Sequence, residues 1–262
     1  MESLPLFVTL FVIGTTGAFV SGMLGLGGAI ILVPMLLYLP PLVGAGALDM
    51  KQVSGITIIV VFASSLSSLF VHNKNRLVVR DLVVIMGLTA VVSGFLGAVY
   101  SKYVTGKALL SIFAVMSAFA AVILFIPKKE ADGDVRPEDI KFNKTGAFII
   151  ALTVGFIGGM VGAPGAYIFT PLMMYFLKIP TKAAIGSTMG IVFIASIAGA
   201  SGKLITAQVP YLMTVAVVLG AVPAARIGAR FTQKVPAATL KKALAYIIAF
   251  ASLRMLYDVF MG

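Results

Sequence analysis

The chain has 262 residues, of which 60% are hydrophobic and 11% are charged, and its formal net charge is +11 at pH 7. A soluble domain carries about a quarter charged residues, so this composition excludes an ordinary soluble protein and favours one embedded in a lipid bilayer. Lysines and arginines cluster in short segments between long apolar blocks. The positive-inside rule expects them there, so the charge does not predict a nucleic-acid partner.

The residue types needed for metal or catalytic chemistry are scarce. The chain has no cysteine, a single histidine, His72, and nine acidic residues. These counts exclude disulfides and thiolate metal sites, and we expect neither a metal nor a cofactor. We also expect that the chain is not an enzyme. The N-terminus lacks a basic region before its first apolar block, so no cleavable signal peptide is expected.

Eight apolar blocks follow one another along the chain. They cover 5–38, 53–71, 78–99, 108–126, 146–178, 184–202, 210–228 and 243–260. Apolar stretches of about 18 residues or more predict membrane spans. The first and fifth blocks are too long for one crossing, because such a helix would reach about 50 Å against a hydrocarbon core of about 30 Å.

Glycine interrupts both of the overlong blocks. The interruptions contain Gly25, Gly27 and Gly28 in the first block, and Gly162, Pro164 and Gly165 in the fifth. Glycine and proline destabilise helices. Each of these two blocks is therefore predicted to be a broken helix or a re-entrant hairpin.

The two halves of the chain match each other. Gly22-Met23-x-Gly25-x-x-Gly28-Ala29 aligns with Gly159-Met160-x-Gly162-x-x-Gly165-Ala166, and Lys51-x-x-x-Gly55-x-Thr57 aligns with Lys182-x-x-x-Gly186-x-Thr188. Gly97-Ala98 then aligns with Gly228-Ala229. The order and spacing of these matches indicate a duplication. We predict a first membrane repeat at 1–127, a charged cytoplasmic linker at 128–144 and a second membrane repeat at 145–262.

The basic residues predict how the repeats are oriented. Suppose that the first block of each half enters the membrane and returns to the side from which it came, as a hairpin or two short crossings. Then 15 lysines and arginines share one side of the membrane, and the other side has Lys51, Lys102, Lys107 and Lys203. Eight plain spans would divide them 10 against 9. The positive-inside rule favours the first arrangement. The predicted fold is an all-α polytopic membrane protein of two inverted-topology repeats, each with a Gly-rich broken or re-entrant first helix followed by three transmembrane helices.

Inverted repeats with broken helices are typical of transporters, whose sites lie where the half-helices meet. Half-helix N-termini attract anions, and glycine lets a ligand approach the backbone. The candidate substrate-binding residues are Gly25, Gly27, Gly28, Gly162, Pro164, Gly165, Ser54, Thr57, Ser187 and Thr188. The alternatives are that the glycines only allow close helix packing and that the hydroxyls bond to their own helix. Lys51, Lys182 and Arg226 are candidates for attracting anions or for reaching the lipid headgroups.

At these residues the sequence resembles the sulfite exporter TauE/SafE family of membrane permeases. The resemblance lies in Gly22-x-x-Gly25-x-Gly27-Gly28 before Pro34, in Gly159-x-x-Gly162-x-Pro164-Gly165 before Pro171, and in Gly186-Ser187-Thr188. It covers essentially the whole chain. Pro164 stands where the first half has Gly27, so the two glycine segments differ in that position. The resemblance implies passage of sulfite, thiosulfate, sulfonates or related small anions.

The predicted function is therefore transport of small sulfur-containing anions by alternating access at the interface of two inverted repeats. The alternatives are a channel or carrier for another small anion, such as a carboxylate, or for a neutral solute, and an integral-membrane enzyme. We expect a multi-pass protein of the cell inner membrane whose partners are a small anionic substrate and the bilayer. The sequence predicts neither the coupling ion nor the oligomeric state.

Overall fold

A computed structural model of the protein describes residues 4–24, 28–74, 77–126, 140–163, 165–232 and 234–261, without the side chains at 72–74, 237 and 241. Within these ranges the chain is helical and has no strand. The helices are α1 (Leu4–Leu24), α2 (Ala29–Leu42), α3 (Met50–Lys74), α4 (Arg80–Tyr100), α5 (Gly106–Phe125), α6 (Lys144–Val161), α7 (Ala166–Tyr175), α8 (Thr181–Ile205), α9 (Tyr211–Phe231) and α10 (Ala237–Met261).

Eight of the described helices are long and apolar enough to cross a membrane. They are all of the helices except α2 and α7. At 1.5 Å per residue α2 rises about 21 Å and α7 about 15 Å, which is short of the hydrocarbon core of about 30 Å. The predicted break is therefore present in both overlong blocks, where α1 and α6 are each followed by a short helix.

The residues that start and stop the helices around the second break follow ordinary capping chemistry. Asn143 accepts a hydrogen bond from the backbone N–H of Gly146 at 3.0 Å and so caps the start of α6. Gly162 ends α6 in the left-handed region, with φ +71°, and Ala163 N–H donates to the carbonyl oxygen of Gly158 at 2.9 Å. This left-handed ending turns the chain back toward α7.

The core of the bundle is formed by α3 and α8, which are the two most deeply buried of the eight long helices. The outer helices expose large apolar side chains, such as Leu88, Val92 and Phe250. Exposed apolar faces of this extent are rare on soluble monomers and suit contact with lipid. The bundle therefore buries many small and hydroxyl side chains inside and has apolar residues on both the inside and the outside.

Contacts between α3 and α8 show the relative direction of these two central helices. The Lys203 ammonium near the end of α8 donates to Ser54 near the start of α3, at 2.9 Å. A Cβ added at Gly199 would contact Ile58, and one added at Gly190 would contact Leu69. Positions thus rise along α3 as they fall along α8, so the two central helices are antiparallel.

The two halves of the chain also repeat each other's packing. Helix α1 packs against α9, and α6 packs in the same way against α4. A Cβ added to Gly97 of α4 would lie 1.9 Å from the carbonyl oxygen of Phe156, and one added to Gly228 of α9 would lie 2.0 Å from that of Phe19. The aligned glycines therefore admit the backbone of a neighbouring helix at equivalent places.

We call the end of the bundle where α5 ends and α6 begins the linker end, and the other the opposite end. Thr232, which directly follows α9, donates to the carbonyl oxygen of Met23 near the end of α1 at the linker end. Helix α6 ends at the opposite end, together with α8, because Lys203 also donates to the carbonyl oxygen of Met160. Of the predicted linker 128–144, the described part is 140–144.

Candidate functional site

The short helix α7 begins inside the bundle. Its last residue, Tyr175, donates hydrogen bonds to the carbonyl oxygens of Leu124 and Ile126, at the end of α5. If that level marks the edge of the membrane, the start of α7 lies about 15 Å deeper, near the middle of a core about 30 Å thick. Consistently, Gly165 lies against Val154, midway along α6: a Cβ added there would be 2.4 Å from Val154 Cγ1.

Both short helices begin at a glycine in the left-handed region. Gly28 precedes α2 with φ +88°, and Gly165 precedes α7 with φ +75°. Neither helix start has a hydrogen bond from a capping side chain. The first N–H groups of a helix have no partner within the helix and carry a partial positive charge. The structure thus provides two helix starts of the kind that bind anions.

Predicted residues of the second glycine segment meet those at the start of α3. A Cβ added to Gly162 would lie 2.0 Å from the carbonyl oxygen of Ser54, so only glycine allows these two backbones to approach. The Ser54 hydroxyl donates to the carbonyl oxygen of Lys51 at 2.8 Å and accepts from Lys203. Gly162 and Ser54 therefore lie at one buried junction of α3, α6 and α8.

The charged centre of this junction is Lys203, which the sequence analysis placed on the same side of the membrane as Lys51, Lys102 and Lys107. The structure places it at the same end of the bundle as Lys51 and Lys102, but its side chain is fully buried, with 0% of its surface exposed, and the sequence analysis did not predict that burial. Its ammonium group donates to Ser54 Oγ at 2.9 Å, Ser101 Oγ at 2.8 Å, Gln208 Oε1 at 3.0 Å and the Met160 carbonyl oxygen at 3.1 Å. Without Lys203, the predicted distribution of basic residues becomes 15 on one side of the membrane against three on the other, namely Lys51, Lys102 and Lys107.

One feature of the sequence singles out Lys203, namely that the repeat alignment pairs it with the single histidine. The alignment that pairs Lys51 with Lys182 also pairs Lys203 with His72, whose side chain is outside the described set. Lys203 sits four residues after Gly199 in a polar, small-residue segment that could equally begin a loop. Only the packing of α8 against its neighbours distinguishes a buried lysine from an interfacial one.

The predicted hydroxyl residues on α3 and α8 have separate roles. All are fully buried. Thr57 donates to the carbonyl oxygen of Val53 in its own helix at 2.7 Å. Ser187 accepts from the backbone N–H of Val79 at 2.9 Å, and Thr188 shares a hydrogen bond with Thr170 of α7, also at 2.9 Å. Thr57 thus makes the local bond of the alternative interpretation, whereas Ser187 and Thr188 connect helices.

The remaining predicted residues are distributed as follows. Gly25, Gly27 and Pro164 lie outside the described residues. Lys51 is half-buried, and its ammonium group donates to the carbonyl oxygen of Lys102 at 3.1 Å, next to Ser101. Lys182 is half-buried at the start of α8, and Arg226 is exposed on α9. Arg226 therefore lies on the outer surface of the bundle and away from the Lys203 junction.

A second arginine borders an apolar cavity between α2 and α10. The cavity has a volume of about 490 Å³ and contains Pro34, Phe250 and Arg254 in its lining. Arg254 lies over the ring of Tyr38 at 4.5 Å and pairs with Asp258 one turn later. Its charge is thus already matched by a carboxylate, unlike that of Lys203, for which no ion pair is found within the described ranges.

Comparison with known proteins agrees with this architecture. The model of the family described as sulfite exporter TauE/SafE matches residues 10–255. A probable membrane transporter protein, YunE of Bacillus subtilis (strain 168), is 25% identical and covers 96% of this chain and 98% of its own length. The probable membrane transporter protein MJ0441 of Methanocaldococcus jannaschii is 24% identical and covers 97% of each chain.

A longer relative and the solved structures complete the comparison. The probable membrane transporter protein MamO of Magnetospirillum gryphiswaldense is 26% identical over 94% of this chain, which corresponds to 43% of its own length. No solved structure matches the chain significantly. The family match runs from within α1 to within α10 and includes both glycine segments, and the resemblance found in the sequence is confirmed. The chain is a multi-pass membrane protein that belongs to the sulfite exporter TauE/SafE family of transporters.

Proposed function

We propose that the protein carries small sulfur-containing anions, such as sulfite, thiosulfate or sulfonates, across the inner membrane by alternating access. The observation that carries this proposal is the start of α7. It is an uncapped helix N-terminus that begins at a left-handed glycine about halfway through the bundle. A site at that depth is reachable from either side after a modest rearrangement, as alternating access requires.

The chemistry of the buried groups supports an anion over a cation. Cation carriers normally hold carboxylates within the membrane. Within the described ranges, the buried charged side chain is a lysine, Lys203, and the buried acceptors and donors around it are neutral. Two helix starts that have no hydrogen bond from a capping side chain add further positive potential. The family's description as a sulfite exporter supports sulfur oxyanions within this class.

The proposed mechanism uses two inverted repeats, 1–127 and 145–262, joined by the linker 128–144. The antiparallel central helices α3 and α8, which the alignment pairs, support opposite orientation of the halves. The equivalent glycine contacts of Gly97 and Gly228 support a duplication. In such folds one repeat rocks against the other around a fixed site. The 15 basic residues that the sequence assigns to one side of the membrane support a cytoplasmic linker, with both termini on the other side.

Transport by purified protein in liposomes tests the proposal. Vesicles loaded with buffer receive labelled sulfite, thiosulfate, sulfoacetate, a small carboxylate or glycerol, and protein-free vesicles provide the background. We expect saturable, protein-dependent uptake of at least one sulfur-containing anion, reduced by the other sulfur-containing anions. Uptake of the carboxylate with none of the sulfur compounds would reassign the substrate class, and uptake of glycerol alone would refute anion transport.

A further inference from the structure

The ammonium group of Lys203 is held by more acceptors than it has protons. Four oxygens lie between 2.8 and 3.1 Å from Nζ, whereas an ammonium group has three N–H donors. All four are neutral: two serine hydroxyls, one amide oxygen and one main-chain carbonyl. The group is therefore fully solvated by protein, and any further ligand has to displace one of these oxygens.

These neutral oxygens leave the charge itself unmatched. Burying an ion costs several kcal/mol even after the protein relaxes, and a neutral acceptor offsets less of this cost than a counter-ion does. Within the described ranges, the ion pair found is Arg254 with Asp258, on another side of the bundle. The ends of α4, α6 and α8 lie near the ammonium and contribute partial negative charge. A mobile anion would provide the full negative charge that this site lacks.

The position of Lys203 connects it to the helix break. Its acceptor Met160 is in the last turn of α6, two residues before Gly162, and the Ser54 carbonyl lies against Gly162. The same break leads into the uncapped start of α7. Lys203 thus lies at the end of α6 from which the chain passes into the start of α7. This arrangement offers an oxyanion positive charge on one side and backbone donors on the other.

We propose that Lys203 binds the transported oxyanion directly, and that an oxygen of the anion takes the place of the Met160 carbonyl on the ammonium group. Met160 provides the longest of the four contacts, and its carbonyl is the one that adjoins the break. The ligand class is a small anion with several terminal oxygens, so that one oxygen meets Lys203 while others accept from the start of α7. This inference rests on the proposed function and adds to it the residue that holds the charge.

The exchange has a structural consequence. The hydrogen bonds of Lys203 join the end of α8 to α3, to Ser101 after α4, and to α6. Transfer of the ammonium from Met160 to the anion releases α6 from this junction at the opposite end. Binding is thereby linked to loosening of one end of the bundle, which a carrier requires and a rigid pore does not.

Replacing Lys203 tests the proposal. Lys203→Met keeps the length of the side chain and removes its charge, and Lys203→Gln keeps a polar end. Binding of sulfite and of thiosulfate is measured by calorimetry on purified protein, with thermal unfolding on the same samples. We expect both variants to bind at least about tenfold more weakly, as loss of a hydrogen bond between charged partners implies. Lys107→Gln, an exposed lysine at the same end, should bind like the unmodified protein.

A second variant keeps the charge of Lys203, so that the proposal can be tested even if the Lys203 variants do not fold. Ser101→Ala removes one competing acceptor from the ammonium. If the neutral oxygens around Lys203 compete with the anion for its ammonium group, Ser101→Ala should bind sulfite about two- to fivefold more tightly, because a neutral hydrogen bond contributes about 1 kcal/mol. If Lys203 has only a structural role, Ser101→Ala should lower the thermal stability and leave the affinity for sulfite unchanged.

The outcomes separate this inference from the function on which it rests. Unmodified protein that binds neither sulfite nor thiosulfate would overturn both. Normal affinity in folded Lys203→Met, or unchanged affinity in Ser101→Ala, would overturn the role of Lys203 and leave anion transport standing. Weaker binding in the first variant with tighter binding in the second would support the exchange.

Discussion

Gly162 offers a direct test of how closely α6 and α3 must approach. In Gly162→Ala the new Cβ would lie 2.0 Å from the Ser54 carbonyl oxygen and 2.6 Å from its carbonyl carbon. Ordinary contacts begin at 3.4 Å, which is 1.4 Å farther than 2.0 Å. Both obstructing atoms are main chain, so no side chain can rotate away. The two helix ends have to separate, and Ser54 and Met160 then move apart around Lys203.

The magnitude follows from two contributions. Alanine at φ +71° is in the left-handed region, which costs a residue with a Cβ about 1–2 kcal/mol. Forcing extra volume into a packed interior costs about 1–3 kcal/mol. The sum is about 2–5 kcal/mol. Gly44→Ala is the matched control, because Gly44 has φ +67° and nothing within 4 Å of an added Cβ. It should show the conformational cost alone.

Circular dichroism of the helical signal is the suitable assay, since the chain has no tryptophan and no cysteine for fluorescence or thiol-dye methods. All variants are heated at one scan rate in the same detergent, because membrane proteins often unfold irreversibly and their Tm then depends on rate. We expect the Tm of Gly162→Ala to fall clearly below that of Gly44→Ala. Equal Tm values for the two variants would refute the close approach of α6 and α3.

Three further predictions concern topology, the linker and Lys182. The variant Gly262→Cys should react with an impermeant thiol reagent added outside the cell, whereas Gly133→Cys should react only after lysis. Equal labelling of the two variants in intact cells would contradict inverted repeats. Deleting 131–134 should leave liposome uptake of thiosulfate nearly unchanged, since a charged segment containing glycine is a solvated connector, and a large loss in correctly inserted protein would identify a regulatory role. Lys182→Gln should slow uptake at low salt and lose its effect at high salt, because a charge near the bundle surface attracts ions through a field that salt screens. A salt-independent loss would indicate direct binding.

The overall organisation could be read from the sequence because hydrophobicity and helix breaking act locally. Apolar blocks long enough to cross a membrane require no tertiary information, and the eight long helices of the structure correspond to the predicted blocks. The breaks at Gly28 and Gly165 were predicted for the same reason, since glycine alters the local backbone whatever surrounds it. The repeat and the family resemblance followed from the order of these local signals.

The assembly of the site depended on contacts between distant parts of the chain. Ser54 and Lys203 are 149 positions apart in the sequence and are joined by a hydrogen bond. Thr57 and Ser187 looked alike as hydroxyls near a helix start, yet one bonds within its helix and the other to the N–H of Val79. A hydroxyl takes whichever partner the packing brings within reach, so its type alone does not predict its role.

The sequence by itself determined that this is a helical membrane protein, because membrane insertion depends on the apolar content of each segment, and it predicted two related halves. Only the tertiary structure decided which basic residue is buried. A lysine at the end of an apolar helix ordinarily extends to the headgroups, and Lys203 differs because the starts or ends of four other segments surround it and provide acceptors. Its burial is a property of how the helix ends converge, which no local pattern of residues records.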